Sequence, residues 1–104
     1  ITNFRCLERW VHVHLYVLRP ITFGHHQLRV QMAEHIGPIR GDQKYGDKRG
    51  NKDRSIDLHA WGLKLKHPSS NEELIFQSPP PEAPPWSHFK VLKSNTDVRE
   101  YFEN

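Results

Sequence analysis

The sequence predicts a small α+β fold, and three observations carry that expectation. Val11, Val13, Leu15 and Val17 alternate with His12, His14, Tyr16 and Leu18, the period of two of a half-buried strand. From Gln27 the period lengthens to four, with Leu28, Met32 and Ile36 recurring beside Ala33, as an amphipathic helix requires. Beyond residue 37, glycine and proline punctuate the chain so densely that long loops must join the regular pieces. With 104 residues and 36% hydrophobic content, the ceiling is one domain with a modest core.

Each element follows from local chemistry. Residues 2–7 form a short first strand, which pairs with the alternating stretch through a turn at Glu8-Arg9-Trp10. Pro20 removes a ladder donor and ends the second strand. The helix that starts near Gln27 turns Gln27, Gln31 and Glu34 away from its apolar side and stops at Gly37-Pro38. Residues 37–50 also contain Gly41 and Gly46 and read as an irregular loop. Order resumes at Ile56. Residues 58–65 are apolar enough to enter the core, and Leu63 and Leu65 alternate with Lys64 and Lys66 as a half-exposed strand. His67-Pro68-Ser69-Ser70-Asn71 is turn chemistry, and Leu74-Ile75-Phe76 returns as the hairpin partner. Pro79-Pro80-Pro81 closes the sheet, and residues 95–102 predict a last helix capped by Asn95 or Thr96.

Charge is concentrated in one place. Residues 40–54 hold six basic side chains (Arg40, Lys44, Lys48, Arg49, Lys52, Arg54) against three acidic ones (Asp42, Asp47, Asp53), so this loop carries the whole formal net charge of +3. Such a loop suits a phosphate backbone, which Lys and Arg neutralise with release of counterions. A solvated loop of mixed charge is the competing reading. Cys6 is the single cysteine, which excludes a disulfide framework and a Cys-rich zinc site and points to a reducing, cytoplasmic or organellar compartment. No apolar run approaches the roughly 20 residues that span a bilayer, so no membrane partner is expected. The chain opens on Ile1 in strand-like sequence, which suggests a true N-terminus elsewhere.

Other chemistries find little support in the sequence. His12 and His14 share a strand face, and His25, His26 and His35 are close in sequence, but no His-Glu-x-x-His or Cys/His spacing accompanies them, so no metal is expected. The sequence offers no recognisable setting that would make a nucleophile of Cys6. The glycines lack the lysine and hydroxyl pair of a nucleotide-binding phosphate loop.

Four stretches, in order, carry a family resemblance over residues 2–81. They are Leu18-Arg19-Pro20-Ile21-Thr22; His26-Gln27-Leu28-Arg29-Val30; Pro38-Ile39-Arg40-Gly41-Asp42 with Tyr45-Gly46; and Leu58-His59-Ala60-Trp61 followed by Leu63, His67-Pro68 and Phe76. Together they resemble the C-terminal half of the catalytic domain of RluA-type RNA pseudouridine synthases, whose signatures include His-Gln-(Ile/Leu)-Arg-Val and Pro-Ile-x-Gly-Asp-x-x-Tyr-Gly. Two departures stand out. Phe23-Gly24-His25 replaces the family's Gly-Arg or Gly-Lys before the His-Gln motif, and Ile36-Gly37-Pro38 lacks the His that commonly precedes the proline.

The resemblance implies part of a mixed or antiparallel catalytic sheet with one short helix and long loops, residues 1–81 belonging to the catalytic domain and 82–104 forming a proline-led tail. It implies isomerisation of uridine to pseudouridine in ribosomal or transfer RNA, without cofactor, by a complete enzyme that is monomeric. The family's nucleophile is an aspartate in a His-Arg-Leu-Asp motif, which these 104 residues do not contain. Arg29 matches the basic residue that pairs with that aspartate. A guanidinium suits the task because it can grip a carboxylate bidentately and keep it ionised. His26, Gln27 and Leu28 would line or support the pocket, and Lys44, Tyr45, Lys48, Arg49, Lys52 and Arg54 would meet RNA. On the residues alone, Tyr45 is better placed to pack its loop than to touch a base, and His59 reads as a satisfied histidine rather than an acid or base. This stretch alone should be inactive, and a noncatalytic RNA-binding remnant of the same fold is the alternative.

Overall fold

The computed structural model describes residues 2–22, 24–92 and 97–102. They contain two small two-stranded sheets and one α-helix, so the class is α+β. The chain divides into two compact units, one of residues 1–5 and 18–58, the other of residues 6–17 and 59–104.

The first hairpin pairs β1 (Thr2–Trp10) with β2 (Val13–Pro20). The two-residue link makes the pair antiparallel. Its turn is Val11-His12 rather than the predicted Glu8-Arg9-Trp10, so Glu8, Arg9 and Trp10 are strand residues. Val11 takes φ 49°, a left-handed conformation that a β-branched residue disfavours. Strand pairing on both sides imposes it, and no glycine or asparagine betrays the turn in sequence. Pro20 ends β2 as expected.

In the first unit, α1 (Gln27–His35) begins after His26. The helix closes where the amides of Ile36 and Gly37 both donate to the Met32 carbonyl, at 3.0 and 2.7 Å, and Pro38 prevents a further turn. Met32 is buried. Ile36, predicted to share its face, lies one residue past the helix and is 43% exposed. The following loop contains a one-turn 3-10 helix, Gln43–Tyr45, which the glycine punctuation does not reveal. The loop is closed by Arg40 and Asp57, through a backbone bond from the Asp57 amide to the Arg40 carbonyl and a 2.9 Å ion pair between their side chains. Gly41 sits at φ 88° with no room for a Cβ, which would fall 2.8 Å from the Ser55 carbonyl oxygen. Ile39 and Asp42 are buried beside this turn in sequence.

In the second unit, β3 (Gly62–Lys66) pairs antiparallel with β4 (Glu73–Gln77), setting Leu63 opposite Phe76 and Leu65 opposite Leu74. The predicted turn is present: the His67 amide donates to the Glu72 carbonyl, and Asn71 adopts φ 61°. Burial is the correction. All of β3 is exposed, with Leu63 52% and Phe76 54% accessible, because only a two-stranded ribbon backs that face. Among the described residues of this unit, Leu15, Pro85, Phe89 and Val98 are buried apolar residues. Among the described residues, 3-10 turns stand at Trp86–His88, Lys90–Leu92 and Val98–Tyr101, so the described part of the predicted last helix is a 3-10 turn. Asp97 caps the last, accepting the Arg99 amide at 2.9 Å; the predicted caps Asn95 and Thr96 lie outside the described residues. Both carboxylate oxygens of Glu8 accept backbone amides, from Lys90 and Val91, each at 3.0 Å.

Candidate functional site

The site is built in the first unit from the start of α1 and the loop after it. His26 and Arg29 are three residues apart, so the first helical turn puts them side by side. Asp42 and Tyr45 bracket the 3-10 turn in the same way. Arg29 Nε donates to Asp42 Oδ2 at 2.8 Å, and Nη2 donates to Oδ1 at 2.7 Å. This is a parallel, bidentate grip, the strongest geometry open to a guanidinium and a carboxylate. The Asp42 side chain has no accessible surface, while a fifth of the Arg29 side chain remains open to solvent.

Burial alone would push the Asp42 carboxyl up, but the hydrogen bonds from Arg29 outweigh it and hold the carboxyl below its ordinary range. The Arg29 guanidinium is raised by the same bonds. The loop fixes the acid independently. The amides of Tyr45 and Asp47 both donate to the Asp42 carbonyl, and the Asp47 carboxylate accepts the Gly41 amide at 2.6 Å.

Around this pair lies a small polar cluster. Arg29 Nη1 is 3.0 Å from His26 Nε2, and His26 Nδ1 is 2.9 Å from the Tyr45 hydroxyl. The Tyr45 ring stands under two cations, 5.0 Å from the Arg29 guanidinium carbon and 5.8 Å from Lys44 Nζ. His25 stacks on His26 at 3.9 Å between ring centroids. The His26 pKa is lowered, first by desolvation and then by Arg29, His25 and Lys44, with Asp42 opposing. His26 precedes the helix in a left-handed conformation, φ 53° and ψ 23°, and makes no side-chain cap, its ring being committed to Arg29 and Tyr45.

Of the residues singled out from sequence, His26, Arg29, Lys44 and Tyr45 are brought together. Gln27 opens the helix by donating its amide to the Gly24 carbonyl, and its side chain accepts from the Thr22 hydroxyl. Leu28 is half-buried. Lys48, Arg49, Lys52 and Arg54 are exposed on the loop and form no side-chain ion pair among the described residues. Asp42 reads from sequence only as a loop aspartate. Its signal is its place in Gly41-Asp42-x-x-Tyr45-Gly46, a stretch that acquires chemical meaning once Arg29 is seen to reach it. His59 is satisfied, its Nε2 lying 2.9 Å from the Ser78 carbonyl. A depression of about 250 Å³ between Lys64, Glu73, Ile75, Arg99 and Phe102 contains none of these residues. Among the described residues no three His, Cys, Asp or Glu side chains gather as metal ligands, and no helix is long and apolar enough to cross a membrane.

Comparison with known proteins gives the cluster its context. Ribosomal large subunit pseudouridine synthase C of Haemophilus influenzae is 36% identical over 83 residues, covering 74% of this chain and 26% of that protein. An uncharacterized RNA pseudouridine synthase of Bacillus subtilis is 37% identical over 83 residues, covering 79% and 27%. The tRNA pseudouridine synthase C of Salmonella typhi is 41% identical over 71 residues, covering 62% and 27%. The chain thus spans about a quarter of the length of the curated relatives it matches. No family profile and no solved structure matches it. The names of these relatives and their identity of 35–37% over about three quarters of this chain bear out the resemblance read from its sequence: the chain is similar to part of several RNA pseudouridine synthases.

Proposed function

We propose that this chain is part of the catalytic domain of an enzyme that isomerises uridine to pseudouridine in ribosomal or transfer RNA, with residues 1–81 in the pseudouridine synthase fold and 82–104 following as a tail. The observation that carries the reading is Arg29, in the family's His-Gln-Leu-Arg-Val setting, held rigidly with accessible surface left over. The reaction breaks the bond between ribose and the base nitrogen, turns the base, and joins ribose to carbon 5, whose hydrogen leaves as a proton. An aspartate does the covalent work, and Arg29 keeps that aspartate ionised and oriented.

The geometry refines how Arg29 would do so. Its Nε and Nη2 edge is already taken by Asp42. A nucleophilic carboxylate would therefore meet the remaining end, where Nη1 and Nη2 each still carry a hydrogen. Asp42 also neutralises the guanidinium, so Arg29 acts more as an oriented donor than as an isolated positive charge. His26, Lys44 and Tyr45 stand at the same place to hold the nucleotide, Gln27 and Leu28 support them, and Lys48, Arg49, Lys52 and Arg54 extend the interaction along the RNA backbone.

The reading frame upstream of Ile1 is the first test. An in-frame His-Arg-Leu-Asp stretch within about a domain length supports the enzyme; a start codon near Ile1 leaves the noncatalytic RNA-binding remnant instead. In protein carrying that stretch, tritium release from RNA labelled at uridine carbon 5 should vanish in Arg29→Ala while RNA binding survives. Undiminished release from bound RNA would refute the role of Arg29.

A further inference from the structure

The hydrogen-bond chain from Asp42 to Tyr45 admits one consistent arrangement of protons. Arg29 carries donors only, so His26 Nε2, 3.0 Å from Nη1, must accept. An imidazole whose Nε2 accepts is neutral and carries its hydrogen on Nδ1. Nδ1 stands 2.9 Å from the Tyr45 hydroxyl, so His26 donates to the Tyr45 oxygen. The opposite tautomer, or a charged imidazole, would set an N–H against the guanidinium. The phenolic hydrogen is then left over, and no group among the described residues accepts it.

We propose that the Tyr45 hydroxyl is a ligand-facing hydrogen-bond donor to an oxygen of a bound uridine nucleotide, its direction set by the Asp42–Arg29–His26 chain. The inference rests on the RNA reading above and adds a specificity-determining residue to it. The ring is half-buried and held under Arg29 and Lys44, so the hydroxyl is fixed before any ligand arrives. A donor fixed in this way discriminates between acceptor and donor groups on the ligand, because a facing N–H would leave both hydrogens without a partner. The lowered pKa of His26 keeps it in the neutral form that this arrangement needs.

Nitrogen-15 NMR of the imidazole rings in this chain reads the tautomer directly, and at neutral pH His26 should be neutral with its hydrogen on Nδ1. Titrations with uridine monophosphate, uridine and inorganic phosphate then compare wild type with Tyr45→Phe, which keeps the ring. Loss of one hydrogen bond should weaken binding about three- to ten-fold. The loss falls on uridine monophosphate and phosphate if the acceptor is a phosphate oxygen, and on uridine monophosphate and uridine if it is a base carbonyl. Ring-fluorinated tyrosine at position 45, a stronger donor of the same shape, should tighten the affected ligands, and it serves equally if Tyr45→Phe fails to fold. A charged or Nε2-protonated His26, equal binding by all the variants, or no binding of any of the three probes overturns the proposal. The RNA reading fails separately, if wild type does not bind a structured RNA hairpin while uridine monophosphate binding stays sensitive to Tyr45.

Discussion

Arg29 grips Asp42 through two parallel hydrogen bonds of 2.8 and 2.7 Å, and the two members of the pair are unequally buried. Asp42 has no accessible side-chain surface, whereas Arg29 keeps 20%. That inequality decides which member the fold can lose more easily, since an unpaired buried charge costs more than an unpaired charge that water can reach.

Arg29→Ala should therefore lower the urea midpoint by roughly twice as much as Asp42→Asn. Removing Arg29 strands a carboxylate in a closed site, while Asp42→Asn leaves an amide oxygen that still accepts and a guanidinium that solvent reaches. Equal shifts, or a larger one for Asp42→Asn, would mean that the site opens to water when the pair is broken.

Acid should weaken the fold in two windows. The folded-state pKa of His26 is lowered from 6.5, so the unfolded chain takes up a proton first and His26 stabilises the neutral-pH fold less and less as pH falls below that value. The Asp42 carboxyl is lowered from 3.8 by Arg29, so its contribution is complete above that value and is lost as pH falls through the depressed folded pKa. Asp47 and Asp53 are lowered too, by backbone and serine hydrogen bonds, and add to the second window. Urea midpoints measured between neutral and strongly acid pH should lose the first window in His26→Gln and become shallower in the second in Asp42→Asn. Profiles identical to wild type would contradict the assignments.

The basic loop makes a separate prediction about salt. Its acids serve the fold: Asp42 holds Arg29, Asp47 accepts the Gly41 amide, and Asp53 accepts from Ser55. Lys48, Arg49 and Lys52 remain exposed. Neutralising these three together should reduce the slope of log affinity against log salt for RNA by about 2 to 3, at roughly 0.7 to 0.9 for each phosphate that a cation no longer neutralises. An unchanged slope would identify the loop as a solvated face.

Two phenylalanines separate core from surface in the second unit. Phe89 is 2% exposed, and Phe89→Ala should cost about 3–5 kcal/mol by removing buried surface and leaving a cavity. Phe76 is 54% exposed, and Phe76→Ala should stay within about 0.5 kcal/mol. Chemical denaturation of the two variants measures both. A large effect at Phe76 would show that something covers the β3–β4 face in solution.

Much of the architecture is legible in the sequence because it is local. Pro20 ends β2 through its missing donor, Gly37-Pro38 follows the end of α1, and the His67 to Asn71 turn closes the hairpin where its residue types allow. The first turn escapes a sequence reading because Val11-His12 carries no turn chemistry and owes its conformation to the strands around it. The exposure of Leu63 and Leu65 escapes it for a different reason, since alternation fixes which side chains share a face and not whether anything covers that face.

The site divides along the same line. Motifs in order around His26 to Val30 and Gly41 to Gly46 carry the family resemblance without any coordinates, and they make Arg29 a candidate site residue. That Arg29 already has a carboxylate partner in this chain, and that His26 must hand its hydrogen to Tyr45, emerges only when the chain is folded. Asp42 lies 13 residues beyond Arg29, across the rest of α1 and an irregular stretch whose path no periodicity predicts. The pairing exists because that path closes a carboxylate off from water, where only a guanidinium gripping it on two bonds keeps it charged.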